Sequence, residues 1–281
     1  MAKRNYGWTE EKIDKYYRDG RGAGELSNYK PWLTVHDVPS KGNSTRIKGW
    51  KTGRIHQFFS NIERNYFYIL EWSDSVLDIR EQFPLDRVDT IEIAKKKGLN
   101  HIEDRTTKVL IPMTTDFVVT IKRNGKIETL AVAIKPADQL EYKNVLNKLE
   151  VERAYWNNKN VSWEIITQKD IPKHKVKNIE LLHPYRSLEQ KADNKENLLL
   201  EELIDSKTNT RPIRLFNLLN SFDRSNALDS GSALNYFKYL LANKIISIDL
   251  SEKINPRNLN IQDISIDSQI MGSDYNYVSS K

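Results

Sequence analysis

Two runs of alternating apolar and polar residues, joined by an Asn-Gly pair, stand out in the hydrophobic pattern. The runs are Asp116–Lys122 and Ile127–Lys135, and the pair is Asn124-Gly125. Asn-Gly between two β-rich runs favours a two-residue hairpin turn, because both turn residues need a positive φ. The pattern therefore predicts an antiparallel hairpin in which Arg123 faces Lys126.

In this register a carboxylate and an ammonium group come together. Asp116 faces Ala133, and Lys135 lies one diagonal further along the same face of the hairpin. The opposite face is predicted to be core, and its residues are Val119, Ile121, Leu130, Val132 and Ile134. An acid and a lysine beside a small residue suit a metal-dependent phosphodiesterase, although a surface ion pair is equally consistent with so short a motif.

The periodicity around the hairpin predicts an α/β core. Helices are expected over 56–72 and 138–156, and strands over 75–83 and 161–167. The segment 86–112 is polar and is expected to form an irregular surface excursion, and Thr9 is expected to cap a short helix that ends near Arg18. The resulting order of α-β-β-β-α-β is that of restriction-endonuclease-like nucleases.

A polar stretch at 168–195 with two prolines predicts a domain boundary. It separates a restriction-endonuclease-like domain at 1–170 from a C-terminal domain at 171–281. Helices at 196–205, 213–221 and 232–243, followed by a possible hairpin, predict a small winged-helix-like fold. The third helix carries apolar residues and few cations, which favours contact with a partner protein over DNA recognition. Those apolar residues are Leu234, Phe237, Tyr239 and Leu241.

The composition limits the classes of function. The 281 residues are 38% hydrophobic and 29% charged and include no cysteine, which excludes disulfides, thiolate zinc sites and cysteine nucleophiles. No signal-like or membrane-spanning run is present, so we expect a cytoplasmic protein with no membrane partner. A net charge of +6 is a mild bias toward polyanions. Four basic residues surround Trp50 and are candidate contacts to a DNA backbone: Arg46, Lys48, Lys51 and Arg54. A solvated basic loop is an equally plausible interpretation of them.

Glu63 is the candidate second acid of the site. It is four residues from Phe59 and from Phe67, on a helix predicted to begin at Phe58 or earlier, and an acid among apolar side chains is costly unless it binds something. Ser60-x-x-Glu63 also matches a capping box, which would require the helix to begin at Ser60. Further along the chain, Glu150 and Glu152 are interpreted mainly as helix-surface charges, one of which could approach a metal.

Residues 29–156 resemble TnsA, the endonuclease subunit of heteromeric cut-and-paste transposases. Five segments carry the resemblance: Pro31–Ser40, Leu77–Leu85, Thr115–Phe117, Ile134–Ala137 and Lys148–Trp156. A weaker likeness extends over nearly the whole chain. If the resemblance holds, the protein is a bacterial DNA endonuclease.

The resemblance also implies roles for single residues. Glu63 would be the helical acid, Asp116 the strand acid and Lys135 the catalytic lysine, and the backbone carbonyl of Ile134 would complete a site for Mg²⁺, with Mn²⁺ as a substitute. Ala133 departs from the family, which is expected to carry Gln there. Either this branch manages with two acids, a carbonyl and water, or Ala133 is an inactivating substitution.

The same resemblance implies a substrate and partners. The protein would cleave DNA at the 5′ ends of the transposon, while a separate subunit, TnsB, cuts and joins the 3′ ends. An ATPase regulator, TnsC, would contact the C-terminal domain. Two alternatives stay open: a stand-alone nuclease such as a junction resolvase or restriction enzyme, and a catalytically disabled, DNA-bound assembly subunit in which Ala133 lacks a ligand side chain.

Overall fold

The computed structural model describes residues 7–38, 43–187, 194–208 and 211–266. The chain divides into two compact units, Met1–Ile171 and Pro172–Lys281. The helices of the first unit are α1 (Glu10–Arg18), α2 (Asn61–Trp72), α3 (Arg87–Lys96) and α4 (Lys143–Asn158). Its strands are β1 (Thr45–Lys48), β2 (Ile55–Phe58), β3 (Val76–Pro84), β4 (Thr114–Arg123), β5 (Lys126–Ile134) and β6 (Ser162–Ile166).

A mixed four-stranded sheet forms the centre of the first unit. Its strand order is β3-β4-β5-β6, and only the β5–β6 pair is parallel. Parallel neighbours need a crossover connection, and α4 supplies it. The predicted α-β-β-β-α-β order is present as α2-β3-β4-β5-α4-β6, with α3 inserted between β3 and β4.

The expectation of an irregular 86–112 excursion is wrong for Arg87–Lys96, which form α3, whereas 97–112 contain no further helix or strand. Asp86 caps this helix by accepting a hydrogen bond of 2.9 Å from the backbone N–H of Asp89. Ile93 and Ala94 are buried, whereas Val88 is 65% exposed. Because the apolar residues of α3 do not follow one stripe, the sequence gives little helical periodicity there.

The β4–β5 hairpin confirms the predicted register. Arg123 pairs with Lys126, and the turn residues Asn124 and Gly125 both have positive φ, 51° and 77°. The core, however, lies on both faces of the hairpin. Phe117 packs toward α2 and contacts Phe58 and Tyr66. The other face packs against α3 and α4 in one cluster, which includes Val118, Ala131, Ile93, Val151 and Trp156.

Both long helices that flank the hairpin begin later than predicted. Residues 56–58, which we expected to be helical, instead belong to strand β2, which pairs with β1. The helix α2 follows, with Ser60 as its N-cap. The helix α4 begins at Lys143 after a 3-10 turn at Ala137–Glu141, so the capping box expected at 138–141 does not start it. Short apolar segments do not distinguish a strand or turn from a first helical turn.

The N-terminal segment folds as predicted up to Arg18 and then packs around a half-buried carboxylate. Asp37 accepts hydrogen bonds from Arg21 (2.6 Å), from the Tyr16 hydroxyl (2.8 Å) and from the Thr34 N–H (2.8 Å). Burial alone would raise the pKa of Asp37, but these donors lower it to about 2. Gly22 has a φ of +81°, and a Cβ atom there would lie 2.2 Å from Pro84 Cγ.

The second unit is mainly helical. Its elements are α5 (Lys173–Leu182), α6 (Lys195–Lys207), α7 (Leu215–Ser225), α8 (Ser232–Ala242), β7 (Ile246–Ser247) and β8 (Ser265–Ile266). The three predicted helices are confirmed as α6, α7 and α8, and β7 pairs with β8 over two residues. The polar stretch 168–195 contains α5, with Val176, Ile179 and Leu182 buried.

Three of the four apolar residues of α8 that favoured partner contact form core instead. Phe237 is fully buried, and Tyr239 and Leu241 are 6% and 2% exposed. Only Leu234 is half-buried. The sequence argument is therefore wrong for the three core residues, because an amphipathic helix buries such residues in its own domain. In the described part of the chain, no helix is long and apolar enough to cross a membrane.

Candidate active site

Asp116, Ile134 and Lys135 meet where β4 and β5 leave the hairpin ladder. The Asp116 Oδ2 atom accepts hydrogen bonds from Lys135 Nζ at 2.8 Å and from the Ile134 N–H at 2.6 Å. Lys135 Nζ also donates to the Ile134 carbonyl oxygen at 2.8 Å. The lysine side chain is 28% exposed. The ammonium group thus bridges the carboxylate and the carbonyl that the sequence nominated as metal ligands.

Glu63 both caps α2 and faces Asp116. Its carboxylate accepts hydrogen bonds from the Phe59 N–H at 3.0 Å and from the Ser60 hydroxyl at 2.8 Å, while Ser60 Oγ accepts from the Glu63 N–H. The capping alternative is thus present, and the expectation of an earlier helix start is wrong. Burial, with the charge of Asp116, nevertheless raises the pKa of Glu63 to about 7. Glu63 therefore caps α2 and also belongs to the candidate site.

Glu152 on α4 belongs to the site, although the sequence indicated mainly a helix-surface charge and left open only that it or Glu150 approaches a metal. It is 5% exposed, and Trp163 Nε1 donates to its carboxylate at 3.1 Å. Burial, with the nearby charge of Asp116, raises the pKa of Glu152 to about 7, although Lys135 opposes that shift. The available signal was its spacing, three residues from Leu149 and from Tyr155, which puts it on the buried side of the helix. Glu150, in contrast, lies on the surface and pairs with Arg153.

The three acids surround one lysine. Burial alone would lower the pKa of Lys135, but Asp116, Glu152 and Glu63 together raise it. Carboxylates in a low-dielectric setting stay ionised only when positive charge is close. Three carboxyl groups thus share a single ammonium group, and a bound cation would favour the ionised forms of Glu63 and Glu152.

The donor atoms fit a hard divalent cation. Asp116 offers a carboxylate oxygen and Ile134 a carbonyl oxygen, and these two atoms already share one cationic group. Oxygen ligands of this kind are preferred by Mg²⁺, which also keeps several waters. Within the described ranges, no set of three or more Asp, Glu or His side chains is arranged around one metal position.

Ala133 lies fully buried in β5, where it pairs with Ile165 of β6. Its methyl group provides no ligand atom. The charge of Asp116 nevertheless raises the pKa of Glu152, and Glu152 in turn raises the pKa of Lys135. Ala133 thus offers the site no side-chain ligand, while Glu63 and Glu152 are further acids close to Asp116.

The candidate DNA-binding loop is only partly available. Arg46 and Lys48 are exposed on β1. Arg54 turns inward and donates to Glu81 at 2.8 Å, and its side chain is 8% exposed. Its nomination as a phosphate contact is therefore wrong. Lys51 is half-buried, with its N–H directed at Glu71.

Arg54 turns inward because β3 buries an acid. Glu81 is 1% exposed and also contacts His56 Nδ1 at 2.8 Å. Burial alone would raise the pKa of Glu81, but His56 and Arg54 lower it to about 2. His56 Nε2 lies 2.7 Å from the Thr52 hydroxyl, which extends the buried network. A charge in this position needs a partner, and the loop supplies one.

Comparison with known proteins identifies the family. Residues 73–168, which contain Asp116, Lys135 and Glu152, match the family described as TnsA-like endonuclease N terminal. Residues 170–250 match the family described as TnsA endonuclease C terminal. The chain is 39% identical over 251 residues to the transposon Tn7 transposition protein TnsA of Escherichia coli, covering 89% of this chain and 90% of that protein. The chain therefore belongs to the TnsA endonuclease family.

Proposed function

We propose that this chain cleaves DNA at the 5′ ends of a transposon by metal-dependent hydrolysis of a phosphodiester bond. As a TnsA family member it is the endonuclease subunit of a transposase, and its E. coli relative is a transposition protein. One observation carries the choice of site: Lys135 Nζ lies 2.8 Å from Asp116 Oδ2 and 2.8 Å from the Ile134 carbonyl oxygen. The expected products are a 3′-hydroxyl and a 5′-phosphate.

Each residue has a defined task in this proposal. Asp116 and the Ile134 carbonyl would hold Mg²⁺, with Mn²⁺ as a substitute, and Glu63 would complete the site from α2. When bound, the cation supplies positive charge for the phosphate and activation of water. Lys135 directs its ammonium group at the phosphate oxygen or the attacking water, which stabilises charge as it develops.

Glu152 acts in this proposal through its neighbours. It does not need to touch the phosphate, because its charge favours the charged form of Lys135. We assign it as a positioning residue that keeps the ammonium group charged and directed into the site. It also weakens the case for a disabled subunit, since a protein with Ala133 retains a second acid beside Asp116.

The finer assignments of fold and partners belong to the same proposal. The first unit, with its central mixed sheet, is proposed to be a restriction-endonuclease-like nuclease, and the second a winged-helix-like domain that binds partners. The partners are transposon-end DNA, a TnsB-type transposase subunit and a TnsC-type ATPase regulator. Arg46 and Lys48 are the members of the basic loop still proposed to contact the DNA backbone.

The deciding experiment is strand-specific cleavage of transposon ends by the reconstituted transposase with Mg²⁺. It compares this chain with Asp116→Ala, Lys135→Ala and Ala133→Gln. Cleavage of the 5′ strand that is lost with Asp116→Ala and Lys135→Ala supports the proposal. Cleavage that appears only with Ala133→Gln indicates that this chain is an inactivated nuclease. If neither this chain nor Ala133→Gln cleaves the 5′ strand, the chain is an assembly subunit. Cleavage of plasmid DNA with Mn²⁺ by this chain alone would indicate a stand-alone nuclease.

A further inference from the structure

The apolar stripe of α4 is longer than the surface that covers it. The stripe runs from Tyr142 through Leu146 to Leu149 at helical spacing. Leu149 is 3% exposed, whereas Leu146 is 45% and Tyr142 is 59% exposed. The start of the helix therefore presents apolar side chains that the fold does not bury.

This exposed start lies close to the candidate active site. Tyr142 is seven residues after Lys135, joined to it by Pro136 and the 3-10 turn. It is ten residues before Glu152 on the same helix, which corresponds to about 15 Å at a rise of 1.5 Å per residue. That reach is less than half of one turn of a DNA duplex, about 34 Å. A duplex with its cleaved phosphate at Asp116 would therefore have phosphates within reach of this segment.

Cations on α4 have acidic partners near its C-terminal end but, among the described residues, not near its start. Near its C-terminal end, Arg153 pairs with Glu150 at 2.8 Å and Lys159 pairs with Asp89 at 2.8 Å. Near its start, Lys143 and Lys148 are exposed and have no carboxylate partner among the described residues. Cations without acidic partners, next to a site that must receive a phosphodiester, complement the charge of a nucleic-acid backbone.

The residue types between these lysines also suit DNA. Residues 142–148 read Tyr-Lys-Asn-Val-Leu-Asn-Lys and contain no acid. Lysine, asparagine and tyrosine side chains commonly contact phosphates and sugars, and an exposed apolar side chain can pack against a base or sugar in a groove. Two apolar side chains interrupted by lysines would offer little to a protein partner, whose stable interfaces usually bury about 800 Å² on each side.

We propose that Tyr142–Lys148, here called the α4 arm, contacts duplex DNA next to the cleaved phosphate. Lys143 and Lys148 bind backbone phosphates, and Tyr142 and Leu146 pack against the sugars and bases between them. The arm is a positioning element that sets where the duplex lies over Asp116. The inference rests on the proposed DNA-cleaving function and identifies a DNA contact outside the catalytic residues.

The test measures duplex binding by the full chain as salt is raised. The probe is a fluorescently labelled transposon-end duplex, followed by anisotropy. For the double variant Lys143→Gln and Lys148→Gln, the slope of log K against log salt should fall by about 1.8, or about 0.9 for each lost phosphate contact. The matched control is Lys122→Gln with Lys126→Gln, which removes the same charge from exposed positions at the β4–β5 turn. The control should change the slope by much less.

The apolar part of the arm has its own readout. Tyr142→Ala should weaken duplex binding about fivefold or more, because the aromatic ring loses its packing in the groove, with the salt slope unchanged. Because Tyr142 is exposed, its variant should keep the thermal unfolding midpoint of this chain.

The inference is overturned if the double lysine variant has the same salt slope as this chain, or if the control variant loses as much slope as the double lysine variant. It is also overturned if this chain does not bind the duplex at low salt. Unchanged duplex binding with a loss of partner-stimulated cleavage would assign the arm to a protein contact instead. Failure of the proposed function is seen separately, as cleavage that survives Asp116→Ala.

Discussion

Replacing Lys135 by methionine should tighten the binding of a divalent cation to this protein. Lys135 Nζ donates at 2.8 Å to both Asp116 Oδ2 and the Ile134 carbonyl oxygen. A metal ion that uses either oxygen must compete with the ammonium group. The change Lys135→Met keeps the length of the side chain and removes the competing charge.

The magnitude follows from the contact that must be given up. A hydrogen bond to a charged group contributes about 1.5–3 kcal/mol. Because the Lys135 side chain is only 28% exposed, solvent screens this bond only in part. A factor of ten in affinity corresponds to about 1.4 kcal/mol, so the dissociation constant for Mn²⁺ should fall about 10- to 100-fold.

The assay is titration calorimetry with Mn²⁺ on the isolated protein, with the shift of the thermal unfolding midpoint as a second readout. Lys122→Met is the matched control, because it removes an exposed lysine far along β4 and should leave the affinity unchanged. Cleavage by Lys135→Met should be lost even though the metal binds more tightly. Equal or weaker Mn²⁺ binding by Lys135→Met would show that the lysine does not compete for the metal ligands.

Three further predictions concern other parts of the molecule. Glu81→Gln should cost about 3–5 kcal/mol of unfolding free energy, because Arg54 and His56 lose their buried partner. Since the pKa of Glu81 is lowered from 4.5 to about 2 in the folded protein, its contribution is present above pH 4.5 and is lost as the pH falls toward 2. Urea unfolding at pH 7 and pH 3 should show a smaller pH dependence in the variant, and equal curves would contradict this. Glu152→Gln should lower end cleavage at least tenfold, about as much as Glu63→Gln. The surface control Glu150→Gln should stay within about twofold of this chain. Equal cleavage by the Glu152 and Glu150 variants would contradict the positioning role of Glu152. Gly22→Ala should lower the unfolding free energy by several kcal/mol, because its Cβ would meet Pro84. Gly53 has a φ of +71° and nothing within 4 Å of an added Cβ, so Gly53→Ala should lower the unfolding free energy by only about 1–2 kcal/mol. Similar thermal unfolding midpoints of the two variants would refute the steric argument.

The parts of the fold that the sequence predicted are those with strong local chemistry. The Asn124-Gly125 turn fixed the hairpin register, and through it the meeting of Asp116 with Lys135. Thr9 marked the start of α1, as an N-cap residue does. These features depend on neighbours in the chain and can be read without knowledge of tertiary packing.

The errors arose where packing between distant segments decides the outcome. Arg54 looked like a phosphate contact in a basic loop, and only its approach to Glu81, on another strand, shows that it is internal. Glu152 looked like one of several helix-surface charges until α4 was placed on the sheet beside Asp116. The start of α2 was misplaced because β2 is only four residues long and apolar at both ends. In each case the missing information was a contact between residues far apart in sequence.

The two-residue turn of the hairpin also restricts how this gene can vary. Asp116 and Lys135 lie at one end of β4 and β5, and Asn124-Gly125 lies at the other, about 26 Å away for eight residues of strand. A one-residue insertion or deletion that slips the register would turn Lys135 to the opposite face of the sheet. Tolerance of length changes at this exposed turn should therefore be far lower than its distance from the chemistry indicates, and a library of turn lengths selected for transposition should retain two-residue turns.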